Sequence, residues 1–180
     1  MNKGGDIVAT INASQDYDII ETLTFEEASG TCAIRLYRGS ASAYTGTVKV
    51  REGTSGTWSD LSVSGTTTTF NVTNKTMQVA HDWNKNGNNY MTCSFYGQST
   101  NLTGIAISQK AVLSGIVGTN FMVYYAYSCT NLTSLDAPDT SGITTVGSYF
   151  MYSYARDCTN LTSLDVPDTS SITTVGSYFM

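Results

Sequence analysis

Charge is scarce in this chain: Asp, Glu, Lys and Arg together make up 13% of its 180 residues, about half the share of an ordinary globular protein. Its surface must therefore draw polarity from Thr, Ser, Asn and Gly. Positive charge is scarcest toward the C-terminus. Beyond Lys110, Arg156 stands alone against Asp136, Asp139, Asp157, Asp165 and Asp168, and the net charge of the chain is −5. Such a segment repels phosphate, so nucleic acid is not an expected partner.

Other absences narrow the field further. No proline precedes Pro138, helix signals are confined to one turn's worth at LTFEEAS from Leu23, and no apolar run is long enough to span a bilayer. The opening MNKGGDIVAT lacks the apolar core of a cleaved leader, which fits assembly inside a cell better than export through such a leader. His81 is the only histidine; with no recurring nucleophile beside it, it makes neither a catalytic triad nor a zinc site, and it reads as a strand end. Cys32, Cys93, Cys129 and Cys158 show no C-x-x-C spacing. We therefore expect no catalytic residue, no metal, no cofactor and no membrane insertion.

What is present is strand signal, then a repeat. In residues 1–85, DIVATIN from Asp6, YDIIETLTF from Tyr17, TCAIRLYRG from Thr31, TGTVKVREG from Thr45, SDLSVSG from Ser59, TTFNVT from Thr68 and KTMQVAHDW from Lys75 are short and rich in β-branched and aromatic residues. Gly, Asn and Ser clusters separate them. This pattern predicts an antiparallel β-sandwich, immunoglobulin-like in shape, acting as an anchor domain. The polar stretch HDWNKNGNN reads as the boundary, and residues 86–118 as a linker with a degenerate first repeat.

Residues 119–180 hold the clearest signal. CTNLTSLDAPDTSGITTVGSYFM from Cys129 recurs almost letter for letter from Cys158, a period of 29 residues. Leu132 falls on Leu161, Pro138 on Pro167, Ile143 on Ile172 and Phe150 on Phe179. Upstream, VGTNFMVYYAYSCTNL matches VGSYFMYSYARDCTNL, and Asn101 aligns with Asn131 in a weaker copy. A fixed period of this size predicts a solenoid whose units bury their apolar edges against one another. Leu132, Leu135 and Ala137 give the inward strand pattern L-x-x-L-x-L, which Pro138 ends; Phe150, Tyr154 and Cys158, four apart, predict a short helix or irregular turn on the other side.

These residues carry a resemblance. Leu161, Leu164, Val166, Pro167, Ile172, Val175, Gly176 and Phe179 resemble the bacterial BspA-like class of leucine-rich repeats, over roughly the last third of the chain. The unit here is longer, its Phe lies one residue closer to the Gly, and a Tyr-rich insert precedes the Cys. The resemblance implies a leucine-rich-repeat solenoid, buried reduced thiols at Cys129 and Cys158, and a surface-displayed adhesion or binding role.

The candidate binding residues are Tyr124, Tyr127, Tyr149 and Tyr152, amphipathic rings gathered on the turn side, with Asp136 and Asp165 in one acidic row. Tyr125 and Tyr154 share a slot and are the expected buried pair. Asp139 and Asp168 suit hydrogen bonds to the backbone that follows them, which we prefer to a cation between coils. Asp82-x-Asn84-x-Asn86-Gly87 opens like a calcium loop, but its twelfth position is Cys93, so it reads as a plain Asn-Gly turn. Trp58 and Trp83 read as core residues, and the N-x-[ST] matches as structural asparagines.

The expected function is a non-enzymatic surface-displayed binding or adhesion protein, on a phage virion as fibre or decoration, or on a bacterial cell surface. Its partner would be a protein or glycan on a host or neighbouring subunit, and the chain would act as a homo-oligomer or within a larger assembly. The alternative is a structural subunit of a self-assembling extracellular filament, since Met180 falls in mid-unit and leaves an uncapped coil edge. A polysaccharide-acting enzyme ranks last, because its two acids need unlike surroundings and these aspartates recur in like ones.

Overall fold

The structure, a computed structural model, describes residues 17–37, 47–63, 67–81, 92–95, 101–110 and 113–180, with the backbone alone at 36–37 and 92–94. The segment DIVATIN, the Asn-Gly turn after His81, Trp83 and Tyr90 lie outside the described residues. Among the described residues there is no helix, and all regular structure is strand. The chain is mainly β, built from several open sheets.

In the first part of the chain the strands are β1 (Ile19–Phe25), β2 (Thr31–Tyr37), β3 (Val48–Glu52), β4 (Ser59–Leu61), β5 (Thr67–Asn71), β6 (Thr76–His81) and β7 (Thr92–Ser94). Strand β1 shows why alternation works as a signal: Ile19, Glu21, Leu23 and Phe25 are buried, while the residues between them are less so. On the other face Thr22, Gln78 and Arg51 form a polar row, with Gln78 Nε2 donating to Thr22 Oγ1 at 2.9 Å and Arg51 Nε to Gln78 Oε1 at 2.8 Å. Strands β5, β2 and β7 form a separate antiparallel sheet. Cys32, Ile34 and Phe70 of that sheet share one core with Leu23, Met77 and Val79.

The later strands are β8 (Leu102–Gln109), β9 (Ser114–Val117), β10 (Ser134–Leu135), β11 (Gly142–Val146), β12 (Ser163–Leu164) and β13 (Thr174–Val175). They build three successive coils. Strands β8, β10 and β12 pair in parallel, as do β9, β11 and β13. The larger sheet does not stop where the repeats begin. Its order is β4-β3-β6-β1-β8-β10-β12, antiparallel as far as β8 and parallel from β8 onward. Strand β8 thus belongs to both arrangements, and the first coil is rooted in the N-terminal sheet along the length of β1.

Registration between coils follows the repeat. Ser134 pairs with Ser163 and Leu135 with Leu164, while Ile105 pairs with Leu135, the alignment that places Asn101 on Asn131. Like side chains then form rows. Phe121, Phe150 and Phe179 stack with centroids 5.4 Å apart at each step, and Tyr125 stacks on Tyr154 at 5.2 Å. Each such aromatic pair adds about 1 kcal/mol beyond simple burial. Threonine is abundant for a reason that composition alone hides. Thr133 Oγ1 donates to Thr103 O, Thr162 Oγ1 to Thr133 O, Thr144 Oγ1 to Gly115 O and Thr173 Oγ1 to Thr144 O, at 2.8–3.2 Å, so hydroxyls tie each coil to the one before. Gly147 is required by the same stacking, because a Cβ there would lie 2.6 Å from Gly118 C and Thr119 N.

The aromatic segments between coils are irregular turns rather than a short helix. Asn120, Met122, Tyr124 and Ser128 have positive φ, as do Tyr149, Met151, Ser153 and Asp157 in the next coil, an alternation in which intervening residues keep the usual hand. Left-handed geometry costs about 1–2 kcal/mol at a non-glycine residue. It turns the amides along the stack: Tyr124 N donates to Tyr152 O at 3.0 Å, Ala126 N to Tyr154 O at 2.8 Å and Ser128 N to Arg156 O at 2.8 Å. A helix would have spent those donors within one coil. Here they bind neighbouring coils instead.

Candidate functional site

The turn segments carry the tyrosines outward. Tyr124 meets Tyr127 edge to face at 5.5 Å and Tyr152 at 5.9 Å; Tyr152 meets Tyr149 at 5.8 Å and Tyr178 at 6.3 Å; Tyr149 stacks on Tyr178 at 4.7 Å. Five rings from three coils therefore make one connected group. Tyr124 and Tyr149 are 36% exposed and Tyr178 63%, whereas Tyr125 is sealed. The group is not a simple ladder of equivalent positions, since Tyr124 lines up with Ser153 and Tyr152 with Val123. Staggering sets ring faces against ring edges, the geometry aromatic quadrupoles favour. At one margin the Arg156 guanidinium lies 5.8 Å from the Tyr127 centroid, within cation–π range.

The six candidate residues divide between two places. Tyr124, Tyr127, Tyr149 and Tyr152 come together as one surface. Asp136 and Asp165 instead follow β10 and β12, in register with one another. Asp136 Oδ2 accepts from Ile107 N at 3.3 Å, where the β8–β10 ladder has ended, so this carboxylate continues the pairing with its side chain. Asp139 and Asp168 close their turns: Ser141 N donates to Asp139 Oδ1 at 3.0 Å and Ser170 N to Asp168 Oδ1 at 2.8 Å. Those hydrogen bonds, from the Ser141 hydroxyl and amide and from the Ser170 amide and hydroxyl, hold both carboxyls below the usual range. Among the described residues no three His, Cys, Asp or Glu side chains are grouped to hold a metal.

Trp58 is half-buried rather than core. Its ring lies 4.3 Å beneath the Arg51 guanidinium and 6.2 Å from Tyr17. Cys32, Cys129 and Cys158 are unbridged. Cys129 Sγ donates to Phe95 O at 3.1 Å and Cys158 Sγ to Ala126 O at 2.9 Å, so the shared slot is used as a thiol donor between coils. Burial, with Cys129 and Glu21 nearby, pushes the Cys32 thiol up to about 12.

The sequence reading missed a buried polar cluster. Tyr125 Oη donates to Glu21 Oε1 at 3.0 Å, and His81 Nε2 lies 3.2 Å from Glu21 Oε2, with the three residues at 0% exposure. Next to it Tyr154, stacked on Tyr125, donates to Asp136 O; burial first, then the charges of Glu21, Asp136 and Asp165, hold its phenol far above the usual range. The signal was available, because Glu21 keeps phase with Ile19, Leu23 and Phe25, and His81 with Met77 and Val79. Sealed from solvent, the cluster joins sheet to coil and offers a substrate no access. Compared with known proteins, the chain matches no family model, no curated protein and no solved structure.

Proposed function

We propose that this chain is a non-enzymatic binding protein, displayed on a virion or a cell surface, that engages a glycan or protein through the tyrosine face of its coils. The N-terminal sheets, which we read as an immunoglobulin-like sandwich, serve as the anchor. The coils, which we read as a leucine-rich-repeat solenoid of BspA-like type, present the face. One observation carries this reading: Tyr124, Tyr127, Tyr149, Tyr152 and Tyr178, from three coils, form one connected and partly exposed surface. A phenol ring offers an apolar face and a hydroxyl at low conformational cost, which suits it to recognition.

The mechanism is additive. Each coil contributes one or two rings held in place by hydrogen bonds between coils, so little ordering is needed on binding. Weak contacts along such a face accumulate. Binding of the labelled chain to a panel of bacterial surface glycans and intact cells tests this directly. The wild type should bind at least one class, and Tyr124→Ala with Tyr149→Ala should abolish it while the melting temperature holds; binding that survives the double substitution would refute the proposal.

A further inference from the structure

Arg51 is held in place without a counter-ion. It stands on the face of the larger sheet turned away from the core, in one row with Gln78 and Thr22 across β3, β6 and β1. Gln78 Nε2 donates to Thr22 Oγ1 at 2.9 Å and Arg51 Nε to Gln78 Oε1 at 2.8 Å, so a buried amide fixes one edge of the guanidinium. Trp58 fixes its plane, with the ring centroid 4.3 Å away. Among the described residues, nothing takes the remaining Nη edge and no carboxylate lies within ion-pair distance of it. Partial burial lowers the pKa of Arg51, and no nearby acid offsets that effect. Elsewhere in this chain of net charge −5, Lys49, Lys75, Arg156 and His81 each have a carboxylate at 3.0–3.9 Å.

We infer that the Nη edge of Arg51 binds the carboxylate of an acidic saccharide, with Trp58 and Tyr17 as the apolar border of the site. A guanidinium edge presents two parallel N–H donors that match the two oxygens of a carboxylate. The bond to Gln78 and the contact with Trp58 set that fork in advance, so little side-chain freedom is lost on binding. Charge selects the anion. Lys49, on the same strand face, is engaged by Asp60 Oδ1 at 3.0 Å and by the Tyr17 hydroxyl, which leaves one uncompensated positive charge at the site. A single carboxylate balances that charge; a phosphate carries more charge and needs further donors. The Trp58 and Tyr17 rings, tilted by 50° with centroids 6.2 Å apart, lie beside the guanidinium and suit the C–H face of a sugar ring. A small acid that cannot reach them gains the charge contact alone. This site belongs to the N-terminal sheet and does not depend on the tyrosine face of the coils.

Titration of the isotopically labelled full chain, followed at the Arg51 Nε–H and Trp58 indole N–H resonances, is the test. The probes are trigalacturonate and sialyllactose, the methyl ester of each, which keeps the shape and loses the charge, and inorganic phosphate. At least one acidic sugar should shift both resonances saturably, and its ester should bind about tenfold more weakly or worse. Arg51→Gln should weaken binding by a similar factor at the Trp58 resonance. Arg51→Lys, which keeps the charge without the fork, should also bind less well than the wild type, at an unchanged melting temperature. Tyr124→Ala with Tyr149→Ala should leave the titration as it is. No saturable shift with either acidic sugar would overturn the inference. So would an ester that binds as well as its acid, phosphate that binds more tightly than both sugars, an Arg51→Gln variant that binds like the wild type, or loss of binding in the tyrosine double variant.

Discussion

Tyr125 and Glu21 stand 104 residues apart in sequence and share a hydrogen bond of 3.0 Å sealed from solvent. One belongs to the first aromatic turn and the other to β1, so this bond, together with the β1–β8 pairing, makes the sheet and the coils one structure. Removing the hydroxyl leaves a buried carboxylate oxygen without its donor. Tyr125→Phe should lower stability by about 1–3 kcal/mol, read as a shift in the urea midpoint. Glu21→Gln, which retains an acceptor, should cost less than Glu21→Ala. If Tyr125→Phe leaves the midpoint unchanged, the cluster contributes nothing to the junction.

Alkali should unfold this protein from within. The Cys32 thiol rises from 9.0 to about 12, through burial first, then Cys129 and Glu21, and burial holds the Tyr154 phenol far above its usual value. A group whose folded value is raised stabilises the neutral native form fully below the unfolded value, and that contribution disappears as pH climbs through the folded value. Stability should therefore fall between pH 9.0 and about 12. Denaturant midpoints across that window should drop less in Cys32→Ala than in the wild type. Equal slopes would remove Cys32 from the account.

The stacking glycine gives a sharper test of how closely the coils approach. Gly147→Ala places a methyl 2.6 Å from backbone atoms of Gly118 and Thr119, and backbone cannot move aside as a flexible side chain can. Destabilisation of about 1–3 kcal/mol is expected from such overpacking. Gly30, whose added Cβ meets nothing within 4 Å but whose φ is +86°, offers a control in which strain acts without collision. Thermal melts of both alanine variants separate the two causes.

Much of the coil stack could be read from Leu132, Leu135, Pro138 and Ile143, because residues repeated at a fixed spacing pair in register with their counterparts, as Leu135 does with Leu164. The alignment of Asn101 with Asn131 located β8 for the same reason. What stayed hidden lies in the backbone and at the junction. Alternating positive φ at Asn120, Met122 and Tyr124 has no residue signature when glycine is not used, so a spacing of four resembled a helical turn. The union of β8 with β1 was equally hidden, since a strand that is parallel on one side and antiparallel on the other looks like any other strand. The tyrosine group was legible as composition, but its staggered contacts between unlike slots were not.

Two phenylalanines in the same slot separate packing from mere similarity. Phe150 lies between Phe121 and Phe179, fully buried at 5.4 Å from each, whereas Phe179 stacks on Phe150 alone among the described residues and is partly exposed. Truncating Phe150 removes two stacking contacts and opens a cavity bounded by coils on both sides, for which about 3–5 kcal/mol is expected. Phe179→Ala loses one contact beside solvent, where water fills the space, so it should cost well under half as much. The ratio matters more than either value. Rows of like side chains, each held by its neighbours along the stack, require the middle member to matter most; equal costs at the two positions would mean that the coils are held by their strands alone.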